Sequence, residues 1–214
     1  MISGKIYKML IEFLTPKDFK NERESFKFIR ERQGRKEIIY YTFTELHNSF
    51  MVNGIVAHIS FDIVEDIIKK NVYRSNLFTI QESFDIENEL LSEEIINSKE
   101  KSIHIKEKSI HIKEKIDTLL NDSVFPFFKR YKTLKDVYEA IEKMPREQLR
   151  HFIAQPLPQR RMIIKWLCND NNYQQYVDRV IEYYKSENDK DWKEMENLDK
   201  FLKTQIKPIT NLKS

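Results

Sequence analysis

The chain has 214 residues, with 37 lysines and arginines against 34 aspartates and glutamates, so its formal net charge at neutral pH is only +3. Such a balance argues against a dedicated nucleic-acid binder, although it is compatible with a local basic surface. The length suits one domain, or one domain with a small appendage, and it is enough to bury a sizeable core without disulfides.

Cysteine usage and hydropathy set further limits. Cys168 is the single cysteine, which rules out an internal disulfide and fits a reducing compartment. Glu12 interrupts the apolar residues near the N-terminus, so this segment does not have the pattern of a signal peptide. No run approaches the ~20 apolar residues of a membrane span. We therefore expect a cytoplasmic protein that does not enter a membrane.

The first part of the chain predicts a helix followed by antiparallel strands. Apolar residues at helical spacing indicate an opening helix over residues 6–14. It ends at Thr15-Pro16, because the residue before proline avoids helical dihedral angles. Alternating aromatic and β-branched residues then indicate strands around Phe28, over 36–46 and over 50–61.

Turns and short elements complete this strand-rich region. Gln33-Gly34 predicts the turn between the first two strands. Asn53-Gly54 is also the dipeptide of a tight hairpin, so a split of the third strand is the alternative. A short helix is predicted from Asp62 and a fourth strand over 77–80. His58 alternates outward on its strand, where a structural or exposed histidine is a better interpretation than a catalytic base.

From Phe84 onward the spacing of apolar residues changes from two to about 3.6, which predicts helices for the rest of the chain, starting with one over 86–96. A perfect tandem copy follows, because KEKSIHI occurs at 99–105 and again at 106–112. Two copies are fewer than the heptads that define a coiled coil. We expect a helix or a mobile loop here, with a hairpin as the alternative.

Residues 116–144 carry the densest run of apolar side chains, and we expect the chain to pack around them. Burial of each phenylalanine in the run 124–128 (VFPFF) contributes roughly 1.5–3 kcal/mol. Because proline disrupts a helix interior, we predict a short helix, a break at Pro126 and a second helical turn. Thr133 is predicted to cap the next helix together with Asp136, three residues later.

Successive helical patterns fill the remainder of the chain, over 149–153, 162–167, 173–184 and 191–206. The predicted fold class is therefore α+β, with an antiparallel meander of three to four strands flanked by helices and then an all-helical C-terminal half. We divide the chain into an α+β domain over residues 1–144 and a helical extension over 145–214. A single domain over 1–214 is the alternative.

The order of these features resembles a group of bacterial domains of unknown function. The resemblance covers residues 1–144 and is carried by PKDFKNERESFKFIR, the strand YYTF and LLNDSVFPFFKRYKTLKDV, which contains a Pro-Phe-Phe motif. In that group an N-terminal helix and a meander precede the helix with this motif. The resemblance implies an immunity or accessory protein that works by binding, and it implies no catalytic residue.

Motifs with a defined catalytic or cofactor spacing do not occur: the sequence lacks GxGxxG, GxxxxGK[ST], HExxH, paired CxxC and GxSxG. His104 and His111 would be about 10.5 Å apart along a helix, too far to share one metal ion. Cys168 follows Trp166-Leu167 on an apolar face, which favours an inert thiol over a nucleophile paired with His151. We predict no catalytic residue, no cofactor and no metal.

One set of carboxylates in the predicted sheet allows an enzymatic alternative. A metal-dependent nuclease needs carboxylates that converge on an ion beside a lysine. Glu37, Glu45 and Asp62 with Lys36 have the right residue types, but they lie at strand ends. A nuclease-like enzyme is therefore the third choice among the functions we consider.

Charge is distributed unevenly along the chain. Residues 129–165 contain ten basic and four acidic residues. Residues 81–96 contain six acidic residues and neither lysine nor arginine. The candidate binding residues of the basic segment are Lys129, Arg130, Lys132, Arg146, Arg150, Arg160 and Arg161. The candidate acidic patch is Glu82, Asp85, Glu87, Glu89, Glu93 and Glu94.

The predicted function depends on how these two charged patches are interpreted. One interpretation is that both are solvated surface without a binding role. In the other, they bind a partner of complementary charge, and that charge sets the on-rate and specificity. We predict a non-catalytic protein-binding protein of immunity, adaptor or accessory type. The alternative is a nucleic-acid-associated protein that uses residues 129–165, where Tyr131, His151 and Phe152 could stack on bases.

Overall fold

A computed structural model of the chain describes residues 8, 11–22, 26–46, 49–73, 76, 78–92 and 114–205. The strands are β1 (Lys20–Glu22), β2 (Lys27–Arg32), β3 (Arg35–Leu46), β4 (Ser49–Phe61) and β5 (Ile80–Ser92). The α-helices whose bounds are described are α1 (Asp62–Asn71), α2 (Phe125–Arg130), α3 (Leu134–Lys143), α4 (Arg146–Phe152), α5 (Leu157–Leu167), α6 (Tyr173–Ser186) and α7 (Trp192–Thr204). The strands form one antiparallel sheet in the order β1-β2-β3-β4-β5, and helices dominate the second half, which confirms the predicted α+β class.

The chain forms two compact units. The first comprises Met1–Ile59 with Glu82–Lys129, and the second comprises Ser60–Gln81 with Arg130–Ser214. The first unit therefore holds most of the sheet and α2, whereas the second holds α1 and α3 to α7. Met144, where the sequence suggested a domain boundary, lies within the second unit. The tandem copy over 99–112 lies outside the described residues.

The β2–β3 hairpin follows the predicted pattern. Phe28 on β2 is paired with Ile39 on β3, and both side chains are buried. The rings of Phe28 and Tyr41 meet edge to face with centroids 6.0 Å apart. Gln33-Gly34 connects the strands as predicted, and Gly34 has a φ of +73°, in the region that favours glycine.

β4 runs without interruption through Asn53-Gly54, so the hairpin alternative is wrong. A Cβ atom added at Gly54 would clash with the backbone oxygen of Phe84 on β5. Glycine is required at this position because the backbone of the neighbouring strand approaches closely, and not because the chain turns.

We expect Gly54→Ala to destabilise the protein by about 1–3 kcal/mol, because the added methyl group must displace backbone and not a flexible side chain. Gly34→Ala is the matched control, since a Cβ there meets nothing within 4 Å and the cost is confined to its positive φ. Urea unfolding of both variants measures the difference. A Gly54→Ala variant no less stable than Gly34→Ala would contradict the close approach.

β5 extends to Ser92, so the helix predicted over 86–96 is wrong as far as that residue, and residues 93–96 lie outside the described part of the chain. Half-buried Phe84 and buried Ile86 alternate with exposed Ser83 and Asp85, which is the period of a strand. The four-residue spacing of Ile86 and Leu90 also fits a helix, so the short apolar pattern was ambiguous. Pairing with β4 decides in favour of the strand.

The helix that contains Pro126 is continuous, and the predicted break is wrong. Residues 114–119 are helical, Leu120–Val124 form a π turn, and α2 follows directly. In this turn the N–H of Phe125 donates to the oxygen of Leu120, five residues earlier. A proline ring clashes with the carbonyl four residues before it in an α-helix, and a π turn changes that register locally.

A buried ion-pair network joins β2, β3 and α2 within the first unit. The Glu37 side chain is 2 % exposed and lies between two arginines. Arg30 Nε donates to Glu37 Oε2 at 2.5 Å, and Arg35 Nη2 donates to Glu37 Oε1. Arg35 also donates to the backbone oxygen of Phe128 at 3.4 Å. Burial lowers the pKa of Arg35, while the adjacent Glu37 carboxylate opposes that shift.

His58 lies in the interior of the sheet. Its ring centroid is 5.2 Å from that of Tyr40 on β3, and its side chain is buried, although the sequence pattern placed it on an outward face. Burial, together with the positive charge of Lys27, lowers the pKa of His58 to about 4. The neutral imidazole is therefore the form that the fold accommodates.

This lowered pKa predicts a pH-dependent stability. The unfolded chain takes up a proton on His58 below pH ~6.5, whereas the folded chain does so only near pH 4, so stability falls as the pH falls through this window. The loss attributable to His58 is at most about 3 kcal/mol. Urea unfolding at a series of pH values should show a smaller acid loss for His58→Gln than for wild type. Equal pH profiles for the two proteins would contradict the buried neutral imidazole.

The predicted cap of α3 is confirmed in the second unit. Asp136 N–H donates to Thr133 Oγ1 at 3.2 Å, and Thr133 N–H donates to Asp136 Oδ2 at 2.7 Å. This reciprocal capping box fixes the start of the helix. Leu134, Val137 and Ile141 then form its buried face, as their spacing predicted.

Arg160 lies at the centre of the second unit and is completely buried. Its Nε and Nη2 atoms donate to the two carboxylate oxygens of Glu65 on α1 at 3.1 and 2.6 Å. Nη2 also donates to the backbone oxygen of Asn76 at 2.6 Å, and Nη1 donates to the backbone oxygens of Ala154 and Gln155. The guanidinium group thereby ties α1 and α5 to the segment between α4 and α5.

Within the described ranges, no helix combines the length and the apolar character that crossing a membrane requires.

Candidate functional site

A groove of about 800 Å³ lies in the second unit and is lined by residues of α3, α4, α5 and α6. Its apolar lining comes from side chains that are buried or half-buried. They are Ile141, Met144, Leu149, Leu157, Pro158 and Val180. The volume lies within the range of natural ligand sites.

Three exposed arginines line the same groove. Arg146 and Arg150 are four residues apart, so they project from one face of α4, and Arg179 comes from α6. None of the three forms an ion pair with an acidic side chain in the part of the chain that the structure describes. The groove therefore carries three arginines that have no acidic partner among the described residues.

The remaining charged residues in and beside the groove neutralise one another. Lys165 Nζ lies 2.5 Å from Asp170 Oδ2 and 2.7 Å from Glu142 Oε1. Arg161 Nη2 lies 3.1 Å from the same Glu142 oxygen. Burial opposes ionisation of Asp170, but hydrogen bonds from Lys165 and from the backbone N–H of Asn172 outweigh it and lower the pKa of Asp170.

Three tyrosines of α6 complete the lining. Tyr176 lies under the two paired cations, with Arg161 5.0 Å and Lys165 5.5 Å from its ring centroid. Burial raises the pKa of Tyr176 to about 12, so its hydroxyl stays protonated and can donate a hydrogen bond. Tyr183 is half exposed, and its ring meets Tyr184 edge to face at 5.5 Å.

The structure brings together some of the predicted basic residues and separates others. Arg146, Arg150 and Arg161 line the groove. Lys129, Arg130 and Lys132 are exposed but do not line it. The prediction that Arg160 belongs to a binding surface is wrong. Its guanidinium group is buried and donates to Glu65 and to backbone oxygens in the interior.

Two aromatic residues suggested for base stacking are also buried. Tyr131 and Phe152 contact each other with ring centroids 5.1 Å apart and belong to the core. His151 is exposed.

Little of the acidic stripe is described by the structure. Glu82 is half-buried and Asp85 is exposed on β5. Glu87 and Glu89 belong to β5, but their side chains lie outside the described part, as do Glu93 and Glu94 altogether. The predicted acidic patch stays a prediction.

Sequence reasoning missed Arg179 and the role of the α6 tyrosines. Tyrosines at helical spacing are typical of a packed helix face, and the spacing of Tyr176 and Tyr184 fits that interpretation. The available signal was Arg179 itself, which lies between tyrosines on a helix near the chain segment that carries Arg146 and Arg150.

The residues considered for metal binding or nucleophilic chemistry do not assemble a metal site in the described part of the chain. No group of three histidines, cysteines, aspartates or glutamates within the described ranges is arranged to hold a metal ion. Glu37, one of the carboxylates considered for a nuclease, has its oxygens occupied by Arg30 and Arg35. Burial raises the pKa of Cys168 to about 11, which keeps its thiol protonated and weakly nucleophilic.

Comparisons of the chain with protein-family models, with curated proteins and with solved structures find no match.

Proposed function

We propose that the chain is a non-catalytic protein-binding protein of immunity, adaptor or accessory type, and that its helical groove binds an acidic, partly apolar segment of a partner. One observation carries this proposal. Three exposed arginines without acidic partners among the described residues line a groove that also presents six apolar residues and three tyrosines.

The chemistry of the groove suits carboxylates on a protein ligand. An arginine guanidinium presents paired N–H donors in a planar fork that matches a carboxylate. Arg and Tyr are also the residue types that contribute most to protein–protein affinity when an apolar centre surrounds them. Arg146, Arg150 and Tyr183 provide these groups beside Leu157 and Val180.

The same residues support nucleic-acid binding less well. A nucleic-acid surface gains affinity from many phosphate contacts and from exposed aromatic side chains. Arg160 is buried, and Tyr131 and Phe152 are in the core, so three of the residues suggested for such a surface are inaccessible. The cations that remain in the groove are interleaved with apolar residues, which favours a protein segment.

Fluorescence anisotropy with defined probes tests the proposal. The first probe is a short labelled peptide of glutamate, leucine and alanine, and the second has glutamine in place of every glutamate. We expect the glutamate peptide to bind at least about tenfold more tightly, a difference of about 1.4 kcal/mol. Added salt should weaken its binding, because the arginines are exposed to solvent.

A pair of matched variants locates the binding. Arg146→Ala/Arg150→Ala should weaken binding of the glutamate peptide roughly tenfold. Lys132→Ala/Lys143→Ala removes the same charge from exposed positions outside the groove and should leave binding unchanged. The proposal fails if the glutamate peptide does not bind at low salt, if both variants behave alike, or if a single-stranded oligonucleotide binds more tightly than the peptide.

A further inference from the structure

We infer that the segment bound in the groove is an amphipathic α-helix that lies along α6 with its acidic residues beside α4. The inference rests on the proposed function, and it adds the conformation of the ligand and the position of its charges. It follows from the size of the groove, from the hydrogen-bonding groups of its walls and from the distribution of its unpaired cations.

The size of the groove fits a helix that is embedded along one face. Its α6 wall runs from Asn172 to Tyr184, which is about 18 Å at the rise of an α-helix. A helix of that length and of about 10 Å diameter occupies roughly 1,400 Å³. The groove offers about 800 Å³, which is less than the volume of such a helix, so one face of a bound helix stays in solvent.

The walls of the groove disfavour an extended ligand. They are mostly helices, whose backbone N–H and C=O groups are used within the helices themselves. An extended peptide would bury its own backbone groups against these walls with few partners, chiefly the side-chain amides of Gln155, Asn172 and Gln175. A helical ligand satisfies its backbone internally and presents an apolar stripe to Leu157 and Val180.

The unpaired charges set the position of the acidic residues. Arg161 and Lys165, beside Tyr176, are already neutralised by Glu142 and Asp170. The uncompensated cations are Arg146 and Arg150 on α4 and Arg179 on α6. The charge of Arg146 also acts on Tyr184, which places it near the C-terminal half of α6. Carboxylates of the ligand are therefore stabilised at this end of the groove.

Three labelled peptides of glutamate, leucine and alanine test the helical conformation with the full-length protein. The first has leucines at positions i, i+3, i+4 and i+7 and its glutamates clustered at one end. The second shuffles the same composition so that the stripe is lost, and the third is the first peptide with a central alanine replaced by proline. We expect the second and third to bind at least about tenfold more weakly in anisotropy titrations.

Far-UV circular dichroism provides a second measurement. The helical signal of the mixture should exceed the sum of the free protein and the first peptide. If the proline peptide binds as tightly as the first, the ligand is not helical, while the proposed function still stands. If none of the three peptides binds, the proposed function itself is wrong.

The position of the charges has its own test. Arg146→Glu/Arg150→Glu should abolish binding of the first peptide, and a peptide with lysine in place of glutamate should bind this variant more tightly than it binds wild type. Arg161→Gln is the matched comparison, because Glu142 already neutralises that charge, and we expect a loss of less than about threefold. A loss for Arg161→Gln as large as that for Arg146→Ala/Arg150→Ala would overturn the placement.

Discussion

Arg160→Ala is expected to destabilise the protein by about 3–5 kcal/mol, because it leaves the Glu65 carboxylate buried without its counter-ion. The substitution also removes the donors to the backbone oxygens of Asn76, Ala154 and Gln155. An unsatisfied buried acceptor adds to the cost. Chemical denaturation measures the change as a shift of the unfolding midpoint.

Two further variants distinguish the effect on stability of breaking the buried ion pair from the effect of removing a charge in general. Lys135→Ala breaks an exposed ion pair with Glu139 and should change stability by less than about 0.5 kcal/mol. Arg160→Met combined with Glu65→Leu removes both buried charges and should be more stable than Arg160→Ala alone. An Arg160→Ala variant as stable as Lys135→Ala would show that the guanidinium group does not hold the second unit together.

Glu37→Ala should have an effect of similar size in the first unit, about 3–5 kcal/mol. The carboxylate lies between Arg30 and Arg35, and its removal leaves two like charges close together without the carboxylate that separates them. Arg35 is 9 % exposed, so water cannot replace the lost carboxylate. Urea unfolding of the variant provides the measurement.

Glu31→Ala is the matched control for this substitution. Glu31 belongs to the adjacent strand β2 and is paired with Lys36, but its side chain is 73 % exposed. Exposed pairs of this kind contribute little, and we expect a change below about 0.5 kcal/mol. Comparable losses for Glu31→Ala and Glu37→Ala would contradict the role assigned to the buried network.

Local signals explain which parts of the fold could be predicted from the sequence. The capping box at Thr133 depends on residues three positions apart, and α3 follows from its own apolar spacing, so both were predicted correctly. β5 was missed because Phe84, Ile86 and Leu90 fit two periods, and its pairing with the distant strand β4 determines the outcome. The break at Pro126 was predicted because proline normally disrupts a helix interior. The π turn that precedes it changes the hydrogen-bond register, so the helix continues.

The sequence predicts several basic residues of the site, but not how they are arranged. Arg146, Arg150 and Arg161 were candidates because basic residues outnumber acidic ones in that segment. Arg160 and Arg161 are adjacent in sequence and chemically identical, but successive residues of a helix project in different directions. Only the position of Glu65, 95 residues away, shows that Arg160 is structural. The contribution of Arg179 likewise depends on the tertiary fold, which brings α6 and α4 to the same groove.

Hydrogen–deuterium exchange with and without the glutamate, leucine and alanine peptide tests the central claim most directly, because it reports where the peptide binds on the intact chain. We predict slower exchange over residues 141–150 and 172–184, which carry the arginines and tyrosines of the groove, and unchanged exchange in β2 and β3. Protection confined to the sheet, or no protection at saturating peptide, would contradict a binding site in the helical groove.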